Sequence, residues 1–350
     1  MKIITIIGAR PQFIKAAVVS RAFRQYRADI KEVIVHTGQH YDINMSDVFF
    51  DELEIPAPAY NLGIGGGTHG QNTGRMIEKI EEVLLLEKPD WLLVYGDTDS
   101  TLAGAIAASK LHIRVAHVEA GLRSFNRAMP EEINRILTDH ISSLLFTPTK
   151  SAGMNLTREN IDKSKVHLVG DVMYDAALYF GKRAESKSVI LSTNNLISKE
   201  FILATIHRQE NTDNKDRLKQ ILDSLGKAPK TIVWPMHPRT HQRIKLFNLT
   251  IPKNVLIIKP VGYLDMVMLE RHASLIITDS GGVQKEAFFH CVPCLTMRTE
   301  TEWNELVELG VNKLVTELSD RDFLFSPNLD LFNNTLYGDG DAAKKVVNLF

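Results

Sequence analysis

Three carboxylates stand where proton-transfer groups would be useful. Glu119 and Asp97 each follow a short apolar run, and Glu131 stands directly behind Pro130. A carboxylate at the end of a buried strand costs free energy unless a partner or a reaction uses it. We therefore interpret Asp97, Glu119 and Glu131 as candidates for acid/base chemistry on a polar ligand.

Two of these carboxylates, Glu119 and Glu131, also have a purely structural interpretation. For Glu119 this is an ion pair with Arg123 or Arg135. A helix that opens just ahead of Glu131 and Glu132 would place both in its first turn, where the helix dipole stabilises negative charge. For Glu132 we favour that interpretation.

The segment TDSGGVQKEA predicts an anion site. An apolar strand leads to Ser280, and Gly281 and Gly282 carry no side chain, so that backbone N–H groups at a helix start could approach a phosphate. Glu286, one turn later, could accept hydrogen bonds from ribose hydroxyls. The alternative is an ordinary strand–helix turn with Ser280 as its N-cap. Three further basic residues follow other strands and favour a diphosphate ligand: Arg10, Arg208 and His237.

Short apolar runs alternate with segments of helical period, which is typical of βαβ units and parallel sheets. The predicted strands are 3–7, 32–36, 91–95, 115–118, 144–147, 166–169, 202–205, 231–234, 255–258, 275–278 and 293–297. We predict an α/β fold of two Rossmann-like, doubly wound domains facing a cleft. Because such sheets bind ligands beyond the carboxyl ends of their strands, the cleft would hold a nucleotide-linked substrate.

The domain ranges follow from an interruption in this alternation of strands and helices. With 350 residues the chain is long enough for two domains, and a polar stretch separates two βα series. We place the first domain, with the carboxylates, at 1–170 and the second, with the anion site, at 171–340. The last stretch, 341–350, is predicted to be a short helix.

Bulk properties narrow the functional class. A formal net charge of -1 leaves no electrostatic footprint for nucleic acid or an anionic membrane. No apolar run reaches the roughly 20 residues of a membrane span, and the N-terminus does not resemble a signal peptide, so we expect a cytoplasmic protein.

Two local patterns are interpreted as structural features rather than functional sites. Cys291 and Cys294 are predicted to be a buried, reduced structural pair, because a zinc site would need two further ligands. The glycine-rich patch formally fits G-x-G-x-x-G at Gly65, Gly67 and Gly70, but no clean buried strand precedes it. We interpret it as a surface loop.

Eight motifs resemble, in order, those of the non-hydrolysing UDP-N-acetylglucosamine 2-epimerase family. They are GARPQFIK, GQH, GDTDST, HVEAGLRS with PEEINR, HRQEN, HPR, SGGVQKEA and YGDGDAA. The resemblance implies a glycosyltransferase-B-like fold, a terminal helix at 341–350 that crosses back to the first domain, a homodimer, and a reaction without NAD or metal.

The resemblance also implies a reaction and its residues. Family members interconvert UDP-GlcNAc and UDP-ManNAc by eliminating UDP to a 2-acetamidoglucal and adding it back. The implied catalytic residues are Asp97, Glu119, Glu131 and His207. The implied substrate-binding residues are Arg10 and Lys15 for the departing diphosphate, and Arg208, His237, Ser280, Gly281, Gly282 and Glu286 for UDP.

Departures from the family pattern leave more than one sugar as the candidate substrate. GARPQ stands where GTRPE is commoner, and ETEWNE stands where TTERPE is commoner, which is similar to the branch acting on UDP-2,3-diacetamido-2,3-dideoxyglucuronate. A hydrolysing epimerase and a glycosyltransferase of the same architecture share the scaffold.

A haloacid-type phosphatase is the alternative from another enzyme class. It would use Asp97 as nucleophile and Asp99 as acid with Mg²⁺, and the segment GDVMYD would supply further aspartates. In that case residues 200–350 would have no function in the reaction.

Overall fold

The computed structural model describes residues 1–38, 52–333 and 335–350. Gln39 and His40, which belong to the motif GQH, lie outside the described residues. The chain forms two compact units, Met1–Ala176 with Thr335–Phe350 as unit 1, and Ala177–Asn334 as unit 2. The functional domains expected at 1–170, 171–340 and 341–350 remain a prediction.

Unit 1 contains a sheet of seven described strands in the order β3-β2-β1-β4-β5-β6-β7, and every pair is parallel. The strands are β1 (Lys2–Ile7), β2 (Lys31–His36), β3 (Tyr60–Asn61), β4 (Trp91–Tyr95), β5 (Arg114–Val118), β6 (Leu144–Thr147) and β7 (Val166–Leu168). The helices are α1 (Arg10–Tyr26), α2 (His69–Glu87), α3 (Asp99–Lys110), α4 (Pro130–Ile141) and α5 (Lys150–Arg158), with a short 3₁₀ turn at Lys163–Lys165. Helix α6 (Val172–Lys187) begins in unit 1 and ends in unit 2.

Unit 2 contains a second parallel sheet, in which the six described strands have the order β10-β9-β8-β11-β12-β13. The strands are β8 (Phe201–Thr205), β9 (Thr231–Pro235), β10 (Val255–Ile258), β11 (Leu275–Thr278), β12 (Cys294–Thr296) and β13 (Asn312–Leu314). The helices are α7 (Ile190–Thr193), α8 (Gln209–Thr212), α9 (Lys215–Leu225), α10 (Pro238–Leu246), α11 (Tyr263–His272), α12 (Gly281–Phe289) and α13 (Asn304–Glu308), with 3₁₀ turns at Asp322–Leu324 and Leu329–Phe332.

The predicted α/β class is confirmed. The central strands are mainly apolar because helices cover both faces of a parallel sheet, and β4 and β8 are buried at every position. The sequence prediction missed β3 and β13, the short strands at one edge of each sheet.

Each sheet has one point where the direction of winding reverses. In unit 1 this switch point lies between β1 and β4, and in unit 2 it lies between β8 and β11. The connections leave such neighbouring strands on opposite faces of the sheet, which opens a crevice at their carboxyl ends. The segments that begin at Gly8 and Gly96 lie at the first switch point, and those that begin at Ile206 and Asp279 lie at the second.

The C-terminal segment completes unit 1. Helix α14 (Ala342–Val347) packs against α1, and the ring of Phe350 lies 5.8 Å from that of Phe23, 5.4 Å from that of Trp91 and 6.0 Å from that of Phe146. Aromatic clusters of this kind bury a large apolar area. The segment therefore contributes to the core of unit 1.

Asp175 caps the start of α14. Its carboxylate accepts hydrogen bonds from the backbone N–H groups of Ala342, at 3.2 Å, and Ala343, at 2.7 Å. Burial raises the pKa of Asp175 to about 6, and the nearby Asp171 and Asp341 add to the rise, although the two N–H groups oppose it. A raised folded-state pKa means that the native state binds the proton more tightly than the unfolded state.

This cap predicts a pH-dependent stability. The stabilisation from Asp175 is fully present below its ordinary pKa and is lost as the pH rises through about 6. When the pH is lowered from 8 to 5, the free energy of unfolding of the wild type should therefore increase by about 1 kcal/mol more than that of Asp175→Asn. Urea unfolding of both proteins at the two pH values measures this difference, and equal gains would contradict it.

Two local predictions need correction. Gly65 and Gly67 lie in a loop, but Gly70 lies in α2, which begins after Thr68 because that hydroxyl caps the helix at the N–H of Gln71. The surface-loop interpretation was therefore wrong for Gly70.

The cysteine prediction holds for one of the two thiols. Both cysteines are free, and Cys294 is buried, which raises the pKa of its thiol to about 12. Cys291 is exposed, because it lies in the turn that follows α12 rather than in the strand. The prediction of a buried pair was wrong for Cys291.

Candidate active site

Asp97 follows β4 at the switch point of unit 1. Its Oδ2 accepts a hydrogen bond of 2.6 Å from Nη1 of Arg135, and its side chain is 34% exposed. Asn134 donates to the backbone carbonyl of Asp97 at 2.9 Å. The turn is thus held by α4, while the carboxylate stays open to a ligand.

Glu119 forms an ion pair with Lys15 of α1, and both side chains are 7% exposed. The proposed structural partners were Arg123 or Arg135, and that part of the prediction was wrong. The pair lies against the backbone of Gly96, where a Cβ would stand 3.1 Å from Nζ of Lys15 and 3.2 Å from Oε2 of Glu119. With its φ of +63°, Gly96 is a position where a side chain would be strained and would crowd the pair.

The two arginines have other partners. Arg135 donates from Nε to Glu132 at 3.0 Å, in addition to its contact with Asp97. Arg123 donates from Nη1 to Asp139 at 2.7 Å and from Nε to Glu159 at 2.7 Å. Sequence spacing favoured arginines near Glu119, but α1 instead brings a lysine there, since β1 lies beside β4 in the sheet.

Glu131 and Glu132 are neighbours with opposite environments. Glu131 is exposed, and among the described residues it has no hydrogen bond or ion pair. Glu132 is buried, and its oxygens accept from the backbone N–H groups of Ser124 and Phe125, each at 2.9 Å. Glu132 therefore holds the loop ahead of α4, and Glu131 faces solvent.

Arg10 is the first residue of α1 and is partly buried at the end of β1. Gln12, two residues later, was not singled out from the sequence. Its amide accepts from the backbone N–H of Gly8 at 2.8 Å and donates to the carbonyl of Tyr95 at 2.9 Å. This one buried amide connects the ends of β1 and β4 and so fixes the switch point of unit 1.

In unit 2, Asp279 orients His207. Asp279 is fully buried at the end of β11, and its carboxylate accepts from the backbone N–H groups of His207 at 3.0 Å and Arg208 at 2.9 Å. Nδ1 of His207 lies 3.5 Å from the same carboxylate, and the ring is 46% exposed. The ring is therefore held from one side, which leaves Nε2 directed away from Asp279. Sequence analysis placed Asp279 at a strand end but assigned it no role.

Replacing Asp279 by asparagine is expected to destabilise unit 2. The amide offers one acceptor oxygen where the carboxylate accepts from several N–H groups, and its NH₂ would face donors. We expect a loss of about 2–3 kcal/mol in the free energy of unfolding, the usual range for buried hydrogen bonds to a charged group. Asp213→Asn, which removes half-exposed ion pairs to Arg239 and Arg243, should change it by less than about 1 kcal/mol. Thermal and urea melts compare the two variants, and equal stabilities would contradict the expectation.

The predicted anion site lies at the start of α12. Ser280 occupies the N-cap position, as the strand–helix alternative expected, but its side chain makes no capping hydrogen bond. Gly281 and Gly282 are partly exposed, and Glu286 is buried one turn into the helix. The helix start thus retains the features of an anion site.

Glu302 is a neighbour of this helix start to which sequence analysis assigned no role. A side chain at Gly281 would collide with Oε1 of Glu302, which is paired through Oε2 with Arg298 at 2.9 Å. The glycine therefore permits a close approach of this carboxylate, and no spacing in the sequence indicated it.

His237 follows β9 and caps α10, where its Nδ1 accepts from the backbone N–H of Arg239 at 3.2 Å. Desolvation lowers the pKa of His237, and the neighbouring His207 and Arg239 lower it further. Because Nδ1 accepts, the neutral ring carries its proton on Nε2. The partly buried Arg208 precedes α8.

The phosphatase alternative has little support. Oδ1 of Asp171 accepts from the N–H of Met173 at 2.8 Å, so Asp171 and Asp175 both serve as helix caps. Asp99 contacts Nδ1 of His69 at 2.8 Å. Within residues 1–38, 52–333 and 335–350, no group of three acidic, histidine or cysteine side chains could hold a metal ion.

The family model described as UDP-N-acetylglucosamine 2-epimerase matches residues 23–350. The chain belongs to this family. A UDP-2,3-diacetamido-2,3-dideoxy-D-glucuronate 2-epimerase of Pseudomonas aeruginosa is 53% identical, with 99% of this chain and 98% of the relative covered. A UDP-N-acetylglucosamine 2-epimerase of Methanocaldococcus jannaschii is 50% identical, with 92% and 90% covered. Membership in the UDP-N-acetylglucosamine 2-epimerase family confirms the resemblance inferred from the eight motifs.

Solved structures of the family agree. The crystal structure of the Methanocaldococcus jannaschii UDP-GlcNAc 2-epimerase in complex with UDP-GlcNAc and UDP has a TM-score of 0.89 and 47% identity, and covers 100% of this chain and 99% of that one. A UDP-GlcNAc 2-epimerase from Neisseria meningitidis bound to UDP-GlcNAc has a TM-score of 0.88 and 31% identity, with 100% and 99% covered.

Proposed function

We propose that the protein is an isomerase that interconverts UDP-GlcNAc and UDP-ManNAc by inverting the configuration at C2 of the sugar. The observation that carries the proposal is the buried pair of Lys15 and Glu119 beside the half-exposed Asp97 at the switch point of unit 1. This edge of the sheet combines a cation with carboxylates, as an elimination requires. Family membership supports the same reaction, as does the 47% identity to an enzyme whose crystal structure contains UDP-GlcNAc and UDP.

The main difficulty of the reaction is the departure of UDP. A C2 proton of the sugar is barely acidic, so its removal must accompany breakage of the C1–O bond. A base takes the proton, the C–H electrons form the C1=C2 double bond of a 2-acetamidoglucal, and the C1–O electrons leave with UDP. Positive groups fixed in advance stabilise the charge on that oxygen. We assign this task to Arg10 and Lys15.

The groups of unit 2 suit the nucleotide. The uncapped helix start at Ser280, Gly281 and Gly282 offers N–H donors for the diphosphate. Glu286 would accept from the ribose hydroxyls. Arg208 and the Nε2–H of His237 add further donors.

Inversion requires more than one acid/base group, since the proton leaves from one face and returns to the other. We assign these roles to Asp97, Glu119 and Glu131, with His207 as a further proton-transfer group. The three carboxylates come from the ends of β4 and β5 and from the start of α4, so they can approach a sugar from different directions. The reaction is redox-neutral, and we expect turnover without NAD or added metal.

A second candidate substrate is UDP-2,3-diacetamido-2,3-dideoxyglucuronate. The Pseudomonas aeruginosa relative, named for that activity, is 53% identical, and the UDP-GlcNAc enzyme of Methanocaldococcus jannaschii is 50% identical. These similar identities support both sugars as candidate substrates.

Proton NMR in D₂O tests the proposal with each UDP-sugar in turn. The expected result is loss of the C2 proton signal of UDP-GlcNAc together with appearance of UDP-ManNAc. Exchange of the diacetamido uronate alone would assign the second substrate. Release of free ManNAc and UDP would indicate a hydrolysing epimerase, transfer to an acceptor would indicate a glycosyltransferase, and no exchange in either sugar would overturn the proposal.

We further propose a cytoplasmic homodimer that binds neither nucleic acid nor membranes. Helix α4 exposes Ile133 and Leu137, one turn apart, at 38% and 45% of their surfaces, which supports a second copy as the partner. Two free cysteines fit a reducing compartment. No helix among the described residues is long and apolar enough to cross a membrane. Light scattering of the wild type and of Ile133→Lys tests the dimer, and a monomeric wild type would overturn it.

A further inference from the structure

A buried histidine lies beneath the candidate carboxylates. His117, the fourth residue of β5, is fully buried, and its side chain has polar contacts on both ring nitrogens. Nδ1 lies 2.7 Å from Oδ1 of Asp139, and Nε2 lies 2.7 Å from the carbonyl oxygen of Gly96. His117 has no part in the reaction as proposed above.

The two contacts define where the protons are. A carbonyl oxygen can only accept, so Nε2 of His117 carries a proton. Asp139 also accepts from the guanidinium of Arg123 at 2.7 Å and from the N–H of Gly121 at 3.1 Å, both on Oδ2. Burial opposes ionisation of Asp139, but the charge of the Arg123 guanidinium and its hydrogen bond to Oδ2 lower the pKa of that carboxyl. An ionised Asp139 requires a proton on Nδ1 as well.

The contacts also define what the histidine holds. The Gly96 carbonyl belongs to the peptide that joins Gly96 to Asp97, so the hydrogen bond from Nε2 fixes the start of the Asp97 turn. The N–H of Gly96 is bound to the carbonyl of Val118 at 3.0 Å. The same Gly96 packs against the pair of Lys15 and Glu119.

The other side of the cluster holds the Glu119 turn. Glu119 has a φ of +72° and Gly121 a φ of +82°, so this turn has a left-handed backbone that needs external support. Asp139 supplies that support through the N–H of Gly121. One buried cluster thus fixes both turns that carry candidate carboxylates.

We propose that His117 is a positioning residue, a doubly protonated imidazolium that, together with Asp139 and Arg123, holds the Asp97 and Glu119 turns in their reactive geometry. A cluster of buried charges is no more stabilising than apolar residues of similar volume, so stability alone does not account for it. Misplacement of a reacting group by about 1 Å costs on the order of 10²-fold in rate. The kinetic consequence rests on the proposed epimerase function, while the protonation state does not.

The first test is the ¹⁵N NMR spectrum of the wild type with labelled histidine at neutral pH. We expect both ring nitrogens of His117 to carry protons that exchange slowly with water. The signals are assigned by their absence from His117→Gln or, should that variant not fold, by contacts of the ring protons with Val94 and Leu145 on the neighbouring strands. A ring with one protonated nitrogen would overturn the proposal, whatever the enzyme's substrate.

The second test is kinetic. For folded His117→Gln we expect kcat to fall about 10- to 100-fold while KM changes less than about threefold, because the turns of unit 1 are displaced but the residues of unit 2 that we assign to UDP are not. His290→Gln is the matched control: its side chain is 3% exposed, and it lies at the carboxyl end of α12, away from the helix start. The control should lose stability without this change in kcat. A kcat of His117→Gln within twofold of the wild type would overturn the positioning role, and an inactive wild type would instead contradict the proposed function.

Discussion

Replacing Lys15 by methionine is expected to lower kcat/KM by about 10²- to 10³-fold, the scale on which a preorganised donor stabilises a developing anion. The ammonium group of Lys15 forms an ion pair with Glu119, and we assign it to the departing diphosphate. The same change removes the ion-pair partner of a carboxylate that is 93% shielded from solvent, so the free energy of unfolding should fall by about 3 kcal/mol or more. Steady-state kinetics and urea unfolding measure the two effects.

A double variant separates activity from stability. Lys15→Met with Glu119→Gln contains no isolated buried charge, and we expect it to regain most of the lost stability. It should not regain activity, since the cation and the carboxylate are both absent. Recovery of activity with stability would show that the pair is structural only, and our assignment of Lys15 would be wrong.

Glu131→Gln is expected to lower kcat by about 10²- to 10⁴-fold, the usual contribution of a general acid or base. Its side chain is exposed and, among the described residues, has no polar partner, so removal of the charge should cost the folded protein only the helix-dipole contribution, about 0.3–1 kcal/mol. We expect the melting temperature to stay within about 2 °C of the wild type. Exchange of the C2 proton with D₂O measures the loss of activity directly.

The neighbouring Glu132→Gln is the matched control. Glu132 accepts from two backbone N–H groups and from Arg135, so its replacement should lower the melting temperature markedly. Full activity in Glu131→Gln would remove Glu131 from the mechanism and would leave Asp97, Glu119 and His207 as the remaining candidates. An unchanged melting temperature in Glu132→Gln would contradict the structural role of Glu132.

The fold was accessible from the sequence because its signal is local. Apolar runs of four to six residues, separated by helices of regular period, predict parallel βα units without any knowledge of distant contacts. Residues such as Tyr60–Asn61 and Asn312–Leu314 escaped the prediction because strands of two or three residues at a sheet edge have no apolar period of their own.

The site was accessible in part. Asp97, His207 and Ser280 could be singled out because each lies two residues beyond a buried strand, and parallel sheets bind ligands beyond the carboxyl ends of their strands. The roles of Asp279 and His117 could not, because each depends on bonds to segments far along the chain: Asp279 to the turn at His207, and His117 to Gly96 and Asp139.

The amino-acid sequence by itself determined the α/β class, the strands that form both cores, and the set of strand ends that carry chemistry. It did so because the periods of apolar residues and the chemistry of motifs are local properties of the chain. Only the tertiary structure decided which charges pair: Lys15, 104 positions from Glu119, is its partner in place of the nearby arginines. The order of the strands places α1 beside that turn, and strand order is a long-range property that no local pattern contains.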